Sequence, residues 1–255
     1  MPRISVLCGT GMSEFSNSLS SIEGFSSEKI TAETPWGGVP LIVVSSDLGE
    51  VFVIDRHHSK TSGRSPPHSI EYRANVHAAS SCSPEVILSI NSVGSMTTQM
   101  PPGTVGVASD VLDLSTTPWT FHDDDAFHSD RTSPFDPELS SVCGRELEEI
   151  QGIAPSGLVV AQCVGPQFET PSEIDALERL GAHLVGMTLG PEQRLVSECS
   201  IPHVSLPCSS NWAAGRTPGD PSAEIDHGDV DEMASNMRGA LVSCISSMLH
   251  HLGNN

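Results

Sequence analysis

The sequence predicts an α/β fold in which a central mixed, largely parallel β-sheet is flanked by helices. Short apolar runs alternate with helical stretches along the chain, as strands and crossover helices do in such a sheet. Its 255 residues, 37% of them hydrophobic, are enough to bury one substantial core. We therefore expect a single domain over residues 1–255.

The predicted elements follow from apolar periodicity and from the turn residues between them. The predicted strands cover residues 4–8, 39–44, 51–54, 86–90, 105–108, 111–114, 158–164, 183–187 and 204–206. The predicted helices cover residues 70–82, 137–150, 171–180, 191–199 and 229–252. The predicted helix 171–180 begins at Pro171 and is followed by Gly181, and these residue types are favoured at the start and just past the end of a helix. Residues 115–135 lack either pattern and are predicted to form a long loop, a candidate lid or interface arm.

Charge and composition exclude several classes of function. The chain has 12 Lys+Arg against 32 Asp+Glu, a net charge of −20, which disfavours binding to nucleic acid or to an anionic membrane. No apolar run approaches the ~20 residues of a membrane helix, and no signal-peptide pattern is visible, so we expect a cytoplasmic protein. An acidic surface with few lysines would suit a salt-rich cytosol, although an ordinary acidic enzyme has a similar composition.

The cysteines and histidines do not predict a metal site or a disulfide framework. The seven cysteines are scattered and contain no Cys-x-x-Cys pair. The pairs His57-His58 and His250-His251 lack the cysteine or carboxylate spacing of a metal site. We therefore predict that no metal is bound.

Small polar residues recur where the predicted strands end. These segments are Gly9-Thr10-Gly11, Asn91-Ser92-Val93-Gly94, Met187-Thr188 and Ser209-Ser210-Asn211. Because ligands bind at the carboxyl ends of strands in such sheets, we expect these segments to meet at one site. Arg56 and His57 end another strand, and arginine binds oxyanions with two parallel hydrogen bonds. On these two residues alone, a surface ion pair would be the simpler interpretation.

Five longer motifs follow one another in an order that is typical of one enzyme family. They start at Pro66-Pro67-His68, Asn91-Ser92-Val93, Gly165-Pro166-Gln167, Val185-Gly186-Met187 and Ser210-Asn211-Trp212. Over nearly its whole length the chain resembles the trimeric and hexameric purine nucleoside phosphorylases, which include the methylthioadenosine and methylthioinosine phosphorylases. The resemblance implies a phosphorylase/hydrolase-like fold and a reaction in which phosphate displaces a purine from a nucleoside. It implies inorganic phosphate as cosubstrate and no cofactor.

The resemblance also implies which residues form the site. The implied phosphate-binding residues are Thr10, Arg56, His57, Asn91, Ser92 and Thr188. The implied nucleoside-binding residues are Phe168, Glu169, Met187, Asn211, His128 and His227. Catalysis is assigned to Asn211, Glu169 and His57. His128 would reach the 5′ pocket of a neighbouring subunit in a homotrimer or homohexamer, and His227 would lie at the 5′ end of the sugar.

Two positions favour 6-oxopurine nucleosides such as inosine, guanosine or 5′-methylthioinosine. The carboxylate of Glu169 can accept a hydrogen bond from N1–H of a 6-oxopurine, whereas adenine has no hydrogen on N1. Asn211 and Ala213 stand where relatives that use 6-aminopurines have two aspartates, and an amide can donate to O6 and N7. An alternative role for Glu169 is to cap the helix that begins near Pro171.

Other interpretations stay open on the sequence alone. They are a methylthioadenosine phosphorylase, a catalytically silent purine- or phosphate-binding homologue, and a nucleoside hydrolase that needs no phosphate. The loop after Arg56 is two residues longer than in close relatives, with Thr61 to Arg64 where they often have a further histidine. Either His57 or His58 could face the phosphate.

Overall fold

The computed structural model describes residues 1–9, 11–12, 15–20, 25–59 and 63–254. Its strands are β1 (Arg3–Cys8), β2 (Ser26–Thr34), β3 (Gly37–Ser46), β4 (Gly49–Asp55), β5 (Val86–Ser95), β6 (Ala108–Asp113), β7 (Leu158–Gln162), β8 (Leu184–Gly186) and β9 (His203–Trp212). Its α-helices are α1 (Phe15–Ser20), α2 (Tyr72–Ser81), α3 (Pro137–Gln151), α4 (Pro171–Arg179), α5 (Leu189–Cys199), α6 (His227–Asn236) and α7 (Arg238–Gly253). A short 3₁₀ helix, Pro67–Ser69, precedes α2.

The strands form one sheet in the order β2-β3-β4-β1-β5-β8-β7-β6, with β9 paired to β5 beside this path. The pairs β4–β1, β1–β5, β5–β9, β6–β7 and β7–β8 are parallel. The hairpin strands β2, β3 and β4 pair in antiparallel fashion, and so do β5 and β8. The prediction of a mixed, largely parallel sheet flanked by helices is confirmed.

Strand β1 shows why the centre of the sheet is apolar on both faces. Ile4, Val6 and Cys8 pack in one core cluster with residues of α1, α3 and α7, whereas Leu7 packs in a second cluster with residues of α2 and α5. Successive side chains of a strand point to opposite faces, so a strand covered by helices on both sides needs an unbroken apolar run. No helix in the described ranges is long and apolar enough to cross a membrane.

The central strands are longer than predicted, and this changes where the polar segments lie. The predicted end of a strand at residue 90, before the polar segment Asn91-Ser92-Val93-Gly94, is wrong, because β5 continues to Ser95 and β9 pairs alongside it as far as Trp212. The predicted strands 86–90 and 204–206 are therefore too short. The pairing shifts register between Val93 and Gly94, so that Val93 faces Ser209 and Gly94 faces Asn211. Ser210 is the extra residue of this β-bulge.

Two further predictions fail, and two elements were missed, each for a local reason. Residues 105–107 form no strand; Val105 makes only an isolated bridge to Cys208, and β6 begins at Ala108. The predicted helix 229–252 is two helices, α6 and α7, that meet at Met237. The exposed edge strand β2 was not predicted, because a strand with little buried surface has no apolar alternation in its sequence. Helix α1 was also missed; at six residues it is too short for a helical period to show.

A buried histidine of β9 predicts how the stability of the fold depends on pH. Nε2 of His203 lies 2.9 Å from Oγ of Ser89, and the ring packs against Phe135. Burial lowers the pKa of His203 to about 3. Between about pH 3 and pH 6.5, the His203 ring is protonated in the unfolded chain but neutral in the folded protein. The free energy of unfolding therefore falls as the pH is lowered through this range.

We expect His203→Asn to flatten this dependence. The free energy of unfolding, measured by urea titration between about pH 4 and 6, should lose up to ~1.4 kcal/mol per pH unit of slope. His68→Asn, at an exposed histidine of the 3₁₀ helix, is the matched control and should leave the slope unchanged. Equal slopes in the wild type and the His203 variant would contradict the prediction.

Candidate active site

A cavity of about 410 Å³ opens where β4 and β8 end and β5 and β9 run past each other. Eight of the residues singled out in the sequence line it: Arg56, His57, Ser92, Phe168, Glu169, Met187, Thr188 and Asn211. The strand ends thus bring together segments that lie more than 150 residues apart in the sequence, as the carboxyl edge of a largely parallel sheet does.

Arg56 is held beneath the cavity by a buried carboxylate. Its side chain is 1% exposed and that of Glu192 is fully buried. Nε of Arg56 donates to Oε1 of Glu192 at 2.5 Å, and Nη2 donates to Oε2 of Glu192 at 3.3 Å and to the Leu7 carbonyl at 2.7 Å. Burial by itself would lower the pKa of Arg56, but the Glu192 carboxylate outweighs it and the pKa is raised. The guanidinium therefore stays charged in the core.

The turn after β1 passes close to this guanidinium. A Cβ on residue 9 would lie 2.5 Å from Nη1 of Arg56 and 3.0 Å from Nε2 of His57, so only glycine fits there. The next described residue, Gly11, donates its N–H to Asp231 of α6 at 2.7 Å, and its carbonyl accepts from Nε of Arg238 in α7 at 2.8 Å. Helices α6 and α7 thus hold the turn in place.

The two adjacent histidines face different surroundings. His57 lines the cavity, and its Nδ1 lies 2.7 Å from the Ser65 carbonyl, so Nδ1 is the protonated nitrogen in the neutral ring. Burial, followed by the charge of Arg56, lowers the pKa of His57 to about 4. His58 lines another pocket, and its Nε2 lies 2.9 Å from Oδ1 of Asn75. Of the two imidazoles, His57 is the one at the cavity.

Thr188 and Asn91 connect the cavity to the buried carboxylate. Thr188 is the N-cap of α5, so the positive end of that helix dipole lies at the cavity. Nδ2 of Asn91 donates to Oγ1 of Thr188 at 2.9 Å and to Glu192 at 3.3 Å. Asn91 itself is 1% exposed, behind Thr188 rather than in the cavity lining, and its Oδ1 is buried without a partner among the described residues.

Glu169, Phe168 and Asn211 also line the cavity. A capping box of Thr170 and Glu173 begins α4, so the helix cap considered for Glu169 is made by its neighbours. Burial raises the pKa of Glu169. Phe168 is 39% exposed at the rim.

Met187 also lines the cavity. Its backbone carbonyl lies 3.2 Å from the Tyr72 hydroxyl, and the Pro67 carbonyl, on the same cavity wall, lies 3.1 Å from it. The two carbonyls share the one proton of that hydroxyl. Met187 thus adds a polarisable, apolar thioether to a lining that also holds polar groups.

Besides Asn91, three of the predicted site residues are not placed in this cavity. Thr10 lies outside the described residues, and His227 is described only as the first residue of α6. His128 is exposed in the long loop and is not in the cavity lining of its own chain. Across the described part of the chain, no group of three or more histidine, cysteine or acidic side chains could hold a metal ion.

Three site residues were not found from the sequence. Glu192 looks like an ordinary acidic residue in the first turn of a helix. Ser210 stands beside Asn211 in a serine-rich segment, but the bulge that aims it at the cavity has no sequence signal. Arg64 lines the cavity and donates from Nη2 to Asp55 at 3.0 Å. The sequence did give one indication that Arg64 could belong to the site, because it lies in the lengthened loop where relatives often have a histidine.

A family model described as "Phosphorylase superfamily" matches residues 3–246. The chain belongs to this superfamily. One similar curated protein is a probable S-methyl-5′-thioinosine phosphorylase of Methanopyrus kandleri. It is 32% identical to this chain, and the match covers 99% of this chain and 93% of the relative. Another is a 6-oxopurine nucleoside phosphorylase of Pyrococcus furiosus, 30% identical over 96% and 91%. The family resemblance inferred from the sequence motifs is confirmed.

Solved structures agree on the fold. Methylthioadenosine phosphorylase from Schistosoma mansoni, in complex with adenine, superposes with a TM-score of 0.84 over 100% of this chain and 93% of that one. A methylthioadenosine phosphorylase from an antarctic soil metagenomic library gives a TM-score of 0.80 over 96% and 85%. The identities are 19% and 21%, so the likeness shows the fold alone.

The buried ion pair predicts a large loss of stability when one partner is neutralised. We expect Glu192→Gln to lower the free energy of unfolding by about 3 kcal/mol, because it leaves the Arg56 charge uncompensated in the core. Chemical denaturation measures the change. Glu50→Gln, which removes the exposed partner of Arg3, should cost less than about 1 kcal/mol. Similar losses in the two variants would argue against a special role for the buried pair.

Proposed function

We propose that this chain catalyses the phosphorolysis of 6-oxopurine nucleosides. Inorganic phosphate displaces the purine from C1′, yielding the free base and a pentose 1-phosphate. The observation that carries the proposal is a single cavity whose lining combines anion-binding groups with purine-matching hydrogen-bond groups. The 6-oxopurine and thioinosine phosphorylase names of the relatives support it.

Phosphate binds at the end formed by Arg56, Arg64, Ser92 and Thr188. Arg56 is pre-oriented by Glu192, so it loses little side-chain entropy when it meets an anion. The Thr188 hydroxyl accepts from Asn91, which leaves its own proton for a phosphate oxygen. His57 stays neutral at pH 7 because its pKa is about 4, and its Nε2 therefore accepts a hydrogen bond from a protonated phosphate oxygen rather than adding a charge.

The purine binds at the end formed by Phe168, Glu169 and Asn211. Phe168 provides an aromatic wall for the base. A carboxylate that has lost part of its water, as Glu169 has, gains most from a new donor such as the purine N1–H. The amide of Asn211 donates to O6 or N7, and Met187 packs under the ribose.

The reaction follows from the charges that develop as the glycosidic bond breaks. The purine leaves with the bonding electron pair, and the sugar acquires oxocarbenium character. Phosphate on the opposite face stabilises that positive charge, and one of its oxygens forms the new bond to C1′. The hydrogen bond from Asn211 strengthens as negative charge builds on the purine, so it lowers the barrier. The reaction needs no side-chain nucleophile and, in this proposal, no cofactor.

The proposal also covers the oligomeric state, the cellular compartment and the partners of the enzyme. We infer a single domain over residues 1–255 that forms a homotrimer or homohexamer in the cytoplasm. His128 of one subunit then lies at the 5′ pocket of its neighbour, and His227 lies at the 5′ end within the subunit. The net charge of −20 argues against nucleic acid and anionic membranes as partners.

The deciding experiment measures base release from inosine, 5′-methylthioinosine and adenosine, with and without phosphate, at low and molar KCl. We expect phosphate-dependent release of hypoxanthine and little release of adenine. The faster of the two 6-oxopurine substrates identifies the 5′ group. Release without phosphate would indicate a hydrolase, and comparable use of adenosine would refute the assigned base preference. Absence of turnover by the folded protein at both salt concentrations would favour the silent binding homologue.

Asn211→Asp should shift the preference towards 6-aminopurines. A carboxylate cannot donate to O6, so kcat/KM for inosine should fall by about 10²-fold, while use of adenosine improves. The measurement is the inosine-to-adenosine ratio of kcat/KM. Asn17→Asp adds the same charge at an exposed position of α1 and should leave the ratio unchanged. An unchanged ratio in Asn211→Asp would refute the role of the amide.

Arg64→Met should weaken phosphate binding more than nucleoside binding. A charge-assisted contact at a partly exposed guanidinium predicts a rise of about tenfold in KM for phosphate, with KM for inosine little changed. Arg145→Met removes a cation from an exposed site on α3 outside this cavity and serves as the control. Equal phosphate KM values for the Arg64 and Arg145 variants would show that Arg64 does not contact phosphate.

A further inference from the structure

A chain of hydrogen bonds runs from the phosphate end of the cavity to the purine end. Oγ of Ser92 donates to Oγ of Ser210 at 2.7 Å. Oγ of Ser210 lies 3.0 Å from Oδ1 of Asn211, and Nδ2 of Asn211 donates to the Trp212 carbonyl at 2.8 Å. Ser210 is 4% exposed and lines the cavity.

The bulge in β9 makes this series of hydrogen bonds possible. In a regular strand, neighbouring residues point to opposite faces, and only one of Ser210 and Asn211 would reach the cavity. Because Val93 pairs with Ser209 and Gly94 with Asn211, Ser210 is left without a partner on β5, and both side chains line the cavity. Gly94 leaves the space beside them, since a Cβ there would lie 3.2 Å from Nδ2 of Asn211.

The donor-to-acceptor direction of these hydrogen bonds determines which way the Asn211 amide faces. Since Ser210 accepts from Ser92, its own proton is free for Oδ1 of Asn211 at 3.0 Å or for the more distant Val93 carbonyl at 3.3 Å. With Oδ1 held by Ser210 and one N–H on the Trp212 carbonyl, the remaining N–H of Asn211 is the group left for a ligand. A rotated amide would place Oδ1 against the Trp212 carbonyl, where two acceptors repel each other.

We propose that Ser210 is a positioning residue that sets the base specificity by holding the Asn211 amide in its donating orientation. This inference rests on the proposed function. A 6-oxopurine presents the acceptors O6 and N7 and needs a donor, whereas the 6-amino group of adenine is itself a donor and needs an acceptor. The same asparagine could serve either base, depending on its rotation. The Ser210 hydroxyl, together with the Trp212 carbonyl, removes that choice.

The test compares Ser210→Ala, Ser210→Thr and Ser209→Ala. Ser210→Ala removes one of the two hydrogen bonds that hold the amide and so weakens its donating orientation. We therefore expect the inosine-to-adenosine ratio of kcat/KM to fall about tenfold, with KM for phosphate within about twofold of the wild type. Threonine keeps the hydroxyl, so Ser210→Thr should stay within about threefold of the wild-type ratio.

Ser209→Ala is the matched control. Its Oγ is buried with no hydrogen-bond partner in the described part of the chain, so removing this neighbouring hydroxyl should leave the ratio unchanged. Three results would overturn the inference. They are an unchanged ratio in folded Ser210→Ala, an equal loss of both activities, and the same drop in the ratio in Ser209→Ala.

Calorimetric binding of free hypoxanthine and adenine separates this inference from the proposed function. If the wild type binds both phosphate and hypoxanthine without turnover, the proposed reaction fails while the orientation of the amide can still be tested. Ser210→Ala should then reduce the preference for hypoxanthine over adenine by about tenfold. A preference that persists in this variant would overturn the inference whether or not the protein turns over nucleosides.

Discussion

The buried ion pair between Arg56 and Glu192 is the interaction on which the rest of the site depends. A guanidinium in the centre of a protein is tolerated only when a carboxylate and further acceptors satisfy it, and Glu192 and the Leu7 carbonyl do so. The pair joins the end of β4 to the first turn of α5, on the two sides of the cavity. Asn91 and Thr188 then build on the same carboxylate. An apolar contact could join the two elements, but it could not hold a charge in position for an oxyanion.

Two sets of polar groups shape the cavity. One set, with Thr188 and Asn211, has hydrogen-bonding capacity left for ligands. The other set orients the first and consists of Glu192 and Asn91 behind the lining and of Ser210 within it. Geometry that is set before the ligand arrives lowers the reorganisation needed in the transition state. In the proposed reaction, no single side chain acts alone, because each has a partner that fixes its direction.

The sequence predicted the sheet class and most elements because the central strands are apolar on both faces and the strands alternate with helices. It also predicted eight of the residues that line the cavity, since short polar motifs such as Met187-Thr188 end their strands. It could not predict Glu192, because a buried acid in a first helical turn has the same pattern as an exposed one.

The length of β5 and the bulge at Ser210 were missed for a related reason. Both depend on pairing with β9, which lies more than 100 residues away in the chain, and local periodicity does not report such pairing. The choice between His57 and His58 likewise depended on Asn75, a distant partner.

The hydrogen bonds at Gly11 have a consequence for how the protein is made. Gly11 is synthesised before the two side chains that bond to its backbone, those of Asp231 in α6 and Arg238 in α7, which lie 220 and 227 residues further along the chain. Strands β1 and β4, which pair in parallel, can form earlier during translation. The backbone at Gly11 acquires its two partners only after α6 and α7 have been made. A product truncated before α6 would lack these partners and also the α7 side chains that pack in the core with β1.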